Sequence, residues 1–353
     1  MIKATARRIG LVFSRYCGAQ KLLRLASRGP IVLFYHGVIE KIIDPEVQQL
    51  HMSLRDFERQ IKFLRRHWEI ISMDDLYDCV VNNRLQNSKH VILTFDDGYK
   101  NNAEIVAPLL HGWTIPFTVF ISTRHISEHR RFGTYYVRAA INYTKRSKIR
   151  LSAIGRSFDL TTRTNRLAAE KTITRMVKRA PQPLADQIVG ECIALVQPDR
   201  WEELNARFAS DEPMSWKDVN YIRSVGGSVG SHGHDHCILH ANQPEEVVHQ
   251  QLRWSREAIE QNGAECKYFA YPNGTLDDIS QVAYSAVKST QFRLCFTTIE
   301  GEFTPGVDRH LAPRFWAVPD YEEFCYTLSQ TGRQNGPYFD SCRTMQAGQL
   351  AFS

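Results

Sequence analysis

Two aspartates stand side by side at Asp96-Asp97, and two histidines four residues apart, His232 and His236, lie in Ser231-His232-Gly233-His234-Asp235-His236. Carboxylates and imidazoles accept protons and ligate divalent ions, so both sets invite the same chemistry. A carboxylate from Asp97 joined to the two imidazoles gives a two-histidine, one-carboxylate set. A metal held that way keeps positions open for water, which suits hydrolysis. Each set also has an ordinary structural alternative. Two adjacent carboxylates cannot both be buried unpaired without a large cost or a shifted pKa. They therefore face solvent, cap a helix starting near Asn101, or meet a cation. A histidine cluster is as often a polar loop or a hydrogen-bonded surface group, and His234 would point away from its neighbours in a strand or turn.

The elements around these residues decide between the alternatives. Val91 to Phe95 is a short apolar run that stops at the two acids and Gly98, which reads as a buried strand. Ser228 to Ser231 is a shorter strand ending at the histidines. Further strands are expected at Pro30 to Gly37, Pro116 to Ile121, Lys267 to Tyr271, Arg293 to Thr297 and His310 to Phe315. Ser53 with Asp56, Ser72 with Asp75 and Ser215 with Asp218 have the spacing of helix starts. Helices are also expected over Asn102 to His111, Pro244 to Asn262 and Leu276 to Ser289. Alternating strands and helices predict a parallel α/β architecture. In such a sheet the carboxyl ends of the strands share one rim, where acids and histidines from different strands can meet.

At 353 residues the chain can bury a sizeable core, as one barrel-like domain with an insertion or as two smaller domains. A net charge of +6, with no long basic run or nucleic-acid module, argues against a nucleic-acid partner. The eight cysteines are scattered without a Cys-x-x-Cys pair, which disfavours a zinc ribbon and a disulfide scaffold and points to a reducing compartment. Residues 1–28 carry seven Lys/Arg and no acid, with Ile9, Val12, Phe13, Tyr16 and Leu23 at helical spacing. Charges interrupt the apolar face too often for a secretory signal. The segment is either a basic helix packed on the domain or an interfacial helix on an anionic leaflet. The expected location is cytoplasmic, with peripheral contact to the inner face of the membrane through this segment.

Thr94-Phe95-Asp96-Asp97-Gly98 together with His232-x-x-x-His236 resembles the polysaccharide deacetylases of carbohydrate esterase family 4, the NodB-homology group. Phe34-Tyr35-His36, Phe269-Ala270-Tyr271-Pro272-Asn273-Gly274 and Leu311-Ala312-Pro313-Arg314 resemble the exopolysaccharide-linked branch, near the poly-N-acetylglucosamine deacetylases. The resemblance implies a distorted (β/α) barrel of about seven strands. It also implies a divalent metal, zinc foremost, and hydrolysis of N-acetyl groups on a polysaccharide, an oligosaccharide or a precursor. The expected organisation is a basic segment over 1–28, a barrel over 29–125 and 213–318, a mostly helical insertion over 126–212, and a C-terminal extension over 319–353 ending in a loose tail.

Carried across by the resemblance, Asp96 is the general base and Asp97, His232 and His236 are the metal ligands. Asn273 stands where a backbone N–H holds the oxyanion. The chain departs from the family pattern in several places. Ala270 replaces the arginine that steadies the base, and Arg314 is the candidate substitute, with a rim salt bridge as its alternative. Gly233 stands where a hydroxyl residue is usual. The late Leu-x-His motif that supplies a general acid is not found, which leaves His36 as an acid, a substrate contact or a structural histidine. Two other functions remain open: a C–N hydrolase acting on a non-sugar amide, and an inactive carbohydrate-binding relative. The second would require a missing ligand or base, and none is missing. Phosphoryl transfer is disfavoured, because no Walker-type glycine loop is present.

Overall fold

The computed structural model describes residues 29–85, 89–329 and 331. The expected basic helix of residues 1–28 and the loose tail from 332 lie outside the described residues. Seven strands build the central sheet: β1 (Ile31–Tyr35), β2 (His90–Phe95), β3 (Phe117–Ile121), β4 (Gly227–Ser231), β5 (Tyr268–Ala270), β6 (Leu294–Phe296) and β7 (Phe315–Trp316). They lie in the order β6-β5-β4-β3-β2-β1-β7, and every pairing is parallel. The stretch before β7 lies parallel to β6: Cys295 N donates to Arg309 O, Ala312 N to Cys295 O and Thr297 N to Ala312 O, each at 2.8 Å. That stretch joins the two edges, and the curled sheet is the expected distorted barrel. A two-residue strand, Glu69–Ile70, pairs with the start of β2 at His90 and Val91.

The apolar runs behave as their composition dictates. All residues of β1 and β3 are buried, as expected of parallel strands covered on both faces. Helix α1 (Leu54–His67) turns Phe57, Ile61 and Leu64 to the sheet, and its Ser53 cap accepts from Asp56 N at 3.1 Å. Capping boxes open α2 (Met73–Val81) at Ser72/Asp75 and Trp216–Ser224 at Ser215/Asp218. The helix expected from Asn102 begins instead as a π-helical turn, Asn102–Val106, before α-helix resumes at Ala107–Gly112. Both side chains at its start are committed elsewhere: Asn101 Oδ1 accepts from Val38 N at 3.0 Å, and Asn102 Nδ2 donates to His36 O at 2.8 Å. Such π-turns often accompany functional loops.

The insertion has its own core, with Tyr135, Ile141, Leu151, Ile173, Ile188, Leu204 and Phe208 packed together. Its main helices are α3 (Gly133–Tyr143), α4 (Arg163–Arg179), α5 (Gln182–Ile193) and α6 (Pro198–Arg207). It is not wholly helical, because Lys148–Leu151 and Arg156–Asp159 pair as an antiparallel hairpin. The alternation in Lys148-Ile149-Arg150-Leu151, exposed then buried, is a short period-two signal inside a helical stretch. The C-terminal extension opens with a helix, Tyr321–Ser329, whose Phe324 ring meets Phe63 of α1 at 6.2 Å. Among the described residues no helix is long and apolar enough to cross a membrane.

Candidate active site

The carboxyl ends of β1, β2, β4 and β5 bring His36, Asp96-Asp97, His232 and Asn273 to one rim, and Arg314 arrives just ahead of β7. The two aspartates have different partners. Asp96 faces Arg314 in a bidentate pair, Nη1 to Oδ1 at 2.7 Å and Nη2 to Oδ2 at 2.8 Å. Arg314 has no exposed surface and is fixed by two further bonds, Nε to Thr297 O at 3.0 Å and Nη1 to Thr94 Oγ1 at 3.2 Å. Its guanidinium also lies over Phe34, 4.7 Å from the ring centre. Charge-assisted parallel bonds of this kind set orientation as well as charge. Burial would push the Asp96 carboxyl up, but the guanidinium outweighs it and holds the group below the usual carboxylate value.

Asp97 points the other way. Its Oδ1 lies 3.4 Å from His232 Nε2 and 3.2 Å from His236 Nε2. The three candidate ligand atoms all fall within 4.8 Å of one another. Burial would raise the Asp97 carboxyl, yet the two imidazoles hold it well below its ordinary value. His232 Nδ1 sits 2.8 Å from Ala270 O, which accepts the ring proton and leaves Nε2 turned toward Asp97. Burial alone would lower His232; the nearby Asp96 and Asp97 charges and the Ala270 carbonyl raise it overall. These residues suit a divalent ion: one carboxylate oxygen that is buried without a hydrogen-bond partner, and two imidazole nitrogens aimed at it. Asp97 caps no helix, since the turn at Asn102 has no side-chain cap.

The histidine turn is held from outside. Gln251 Oε1 accepts from His234 N at 3.1 Å and Asp235 N at 2.7 Å, while Thr123 N donates to Gly233 O at 3.3 Å. His234 points away, with Nδ1 2.8 Å from Thr123 Oγ1 and its ring against Trp254. Phe132, from the start of the insertion, packs edge-on against His236 at 5.4 Å.

His36 stands at the end of β1, edge-on to Phe34 at 6.0 Å, and its Nδ1 has no hydrogen-bond partner. Burial pushes its imidazole below the ordinary value, partly offset by Asp97 and Asp96. Asn273 occupies a left-handed turn with φ 62°. Its side chain accepts from Lys178 Nζ at 2.7 Å and donates to Asp278 Oδ2 at 2.5 Å. Lys178, at the end of α4, was not singled out by sequence reasoning, and no motif could have found it. The Ala270 carbonyl likewise carries no residue-specific signal, because any amino acid supplies one.

A family model described as polysaccharide deacetylase matches residues 83–293, more than half of the chain. Among solved structures, the deacetylase PplD of Streptococcus pyogenes, in complex with acetate, superposes with a TM-score of 0.56 at 16% identity, covering 88% of this chain and 100% of that one. IcaB from Ammonifex degensii gives 0.56 at 17% identity, with 87% and 99% covered. BC0361, a polysaccharide deacetylase from Bacillus cereus, gives 0.50 at 16% identity, with 85% and 69% covered. At these identities the likeness is one of fold. No curated protein matches in sequence.

Proposed function

The chain belongs to the polysaccharide deacetylase family, and on that premise we propose that it hydrolyses N-acetyl groups on a glycan with Asp96 as general base. The observation that supports this most is the split environment of the adjacent carboxylates. A guanidinium keeps Asp96 ionised and oriented, while Asp97 is given to two imidazole nitrogens. Neighbouring carboxylates with different partners have different roles available to them.

Asp97, His232 and His236 would hold a divalent ion, which when bound supplies Lewis acidity toward water and the amide carbonyl. The ionised Asp96 takes the proton of the attacking water, and Arg314 stabilises that carboxylate between turnovers. As the carbonyl becomes tetrahedral, the backbone N–H of Asn273 is available to its oxygen, held in place by the turn that Lys178 and Asp278 brace. His36, held below its ordinary value, is a neutral imidazole at pH 7 and suits a substrate contact better than a proton donor.

The test is acetate release by the purified full chain from N-acetylglucosamine oligomers, with and without chelator. Chelator-sensitive release is expected. Release that persists unchanged after complete metal removal would contradict the metal assignment. No release from any N-acetylated glycan would contradict the deacetylase reading itself.

A further inference from the structure

Beside the reaction centre an open trough runs along one face of α4. Leu167, Lys171, Thr174, Arg175 and Lys178 line it at helical spacing, and it ends at Asn273 and Asp278. Its charges are unequal in freedom. Glu46 is engaged by Arg163 at 2.8 Å, Glu170 is buried and accepts from Thr174 Oγ1 at 3.0 Å, and Asp278 is taken by Asn273 and Thr275. Lys171 and Arg175 are exposed, and neither makes an ion pair among the described residues.

Helix α3, packed against α4, buries a further cation. Arg138 of α3 is only 4% exposed, yet its Nε and Nη2 have no hydrogen-bond partner. Asp211 Oδ1 stands 3.9 Å away, an ion pair without a hydrogen bond, and that carboxylate also faces His51 Nε2 at 3.2 Å. Buried guanidinium nitrogens are normally satisfied, and leaving them bare is costly. Arg138 is also near enough to Lys178 that, after burial, it helps hold that amine below its ordinary value, against the raising effect of Asp278. Lys178 itself lines the trough beside Asn273, so its ammonium is within reach of an anion lying there. The acids nearest the reaction centre do not fill that role, since Asp96 is committed to Arg314 and Asp97 to the histidines.

We propose that this trough binds an oxyanion substituent of the glycan, a uronate carboxylate or a phosphate, and so selects acidic N-acetylated chains over neutral ones. Lys178 takes the substituent nearest the scissile amide, and Lys171 and Arg175 take those farther along. The inference rests on the deacetylase reading and narrows its substrate class.

The experiment compares three probes on the full chain: a neutral N-acetylglucosamine oligomer, an oligomer alternating hexuronic acid with N-acetylglucosamine, and a phosphate-bearing N-acetylglucosamine oligomer. At low salt, kcat/KM is expected to favour one acidic probe by about tenfold, as a few partly exposed charge contacts allow. The preference should shrink as ionic strength rises toward about 0.5 M. Which acidic probe wins separates carboxylate from phosphate. The double variant Lys171→Gln/Arg175→Gln should lower the acidic-to-neutral ratio, and Lys171→Glu/Arg175→Glu should lower it further. An equal or better neutral probe, or a ratio unmoved by salt and by both variants, would overturn the proposal. If no probe releases acetate, the deacetylase reading falls. Calorimetry with the same probes on the Asp96→Asn chain then decides the trough separately: acidic-selective binding supports it, and equal or absent binding refutes it.

Discussion

Truncating Arg314 should move the acidic limb of the pH–rate profile to higher pH without emptying the metal site. In the native chain the guanidinium holds the Asp96 carboxyl below its usual value against the opposing effect of burial. Removing it leaves burial unopposed apart from the weaker influence of His232 and His36, so the carboxyl stays protonated over more of the acidic range. Loss of turnover should therefore be severe at pH 5 and smaller at pH 8. The stability cost has the same origin. Breaking one side of a buried ion pair costs about 3–5 kcal/mol, and here both bonds of the bidentate pair and the packing over Phe34 go with it. Against a total of about 5–15 kcal/mol that is a large share.

The sign of the pH dependence is a separate check. A carboxyl whose folded pKa is depressed contributes stability above its unfolded pKa and loses it as pH falls through the folded value. In Arg314→Ala the folded pKa rises instead, so the deficit relative to wild type should narrow on acidification. Arg314→Lys should rescue part of both effects, since an ammonium gives charge without the fork that reaches Asp96, Thr94 and Thr297. Asp96→Asn/Arg314→Met should recover stability but not activity, because an apolar replacement removes the unpaired charge. The assays are acetate release against pH, metal content, and melting against pH. An acidic limb that stays put in the lysine and alanine variants, with metal content equal to wild type, would refute the assignment of Arg314 to the base.

The purified chain is expected to carry about one divalent ion, and His232→Ala/His236→Ala should lose it by elemental analysis; unchanged stoichiometry would remove these ligands. Asp96→Asn should keep fold and metal yet lose ~10² to 10⁴ in rate, and near-normal turnover at equal metal occupancy would exclude it as base. Asn273→Gly should retain more activity than Asn273→Val, because glycine tolerates the φ of 62° and keeps the backbone N–H, whereas a β-branched residue does not tolerate that turn. Equal losses in the two variants would assign the effect to the side chain and its bonds to Lys178 and Asp278.

Much of the barrel was legible because its signals are local. Val91 to Phe95 and Phe117 to Ile121 announce buried strands by composition, and Ser53, Ser72 and Ser215 cap the helices their spacing predicts. The parallel rim then makes neighbours of residues 135 or more positions apart, such as Asp97 and His232. The edge closure was not legible in detail. His310 to Phe315 reads as a single strand, but the bonds of Arg309 and Ala312 go to β6, and pairing with β1 comes only at Phe315–Trp316. Lys178 was invisible for a stronger reason. Its contact with Asn273 spans 95 residues and depends on how the insertion docks, which no pattern within α4 encodes.

The backbone at the rim shows why propensity alone could not draw the site. Asp97, His236 and Asn273 have φ of 76°, 54° and 62°, a left-handed region where side chains are uncommon and which glycine enters freely. They are three of the seven such non-glycine residues among those described, and they lie on three different loops of one rim. Each departure costs on the order of 1–3 kcal/mol and persists only where the surroundings over-determine it. The surroundings here are specific: Gly98 follows Asp97 at φ 83° and lies against Ile121, Gln251 binds the histidine turn twice, and Asp278 with Lys178 grips Asn273 from both sides. A turn chosen for local comfort would place glycine at these positions and lose the carboxylate and the imidazole at two of them. The strain at Asp97 and His236 is thus tied to having a ligand-type side chain where the backbone reverses, and at Asn273 to presenting an N–H there. The outer contacts, including one from the insertion, are what keep those three turns from relaxing.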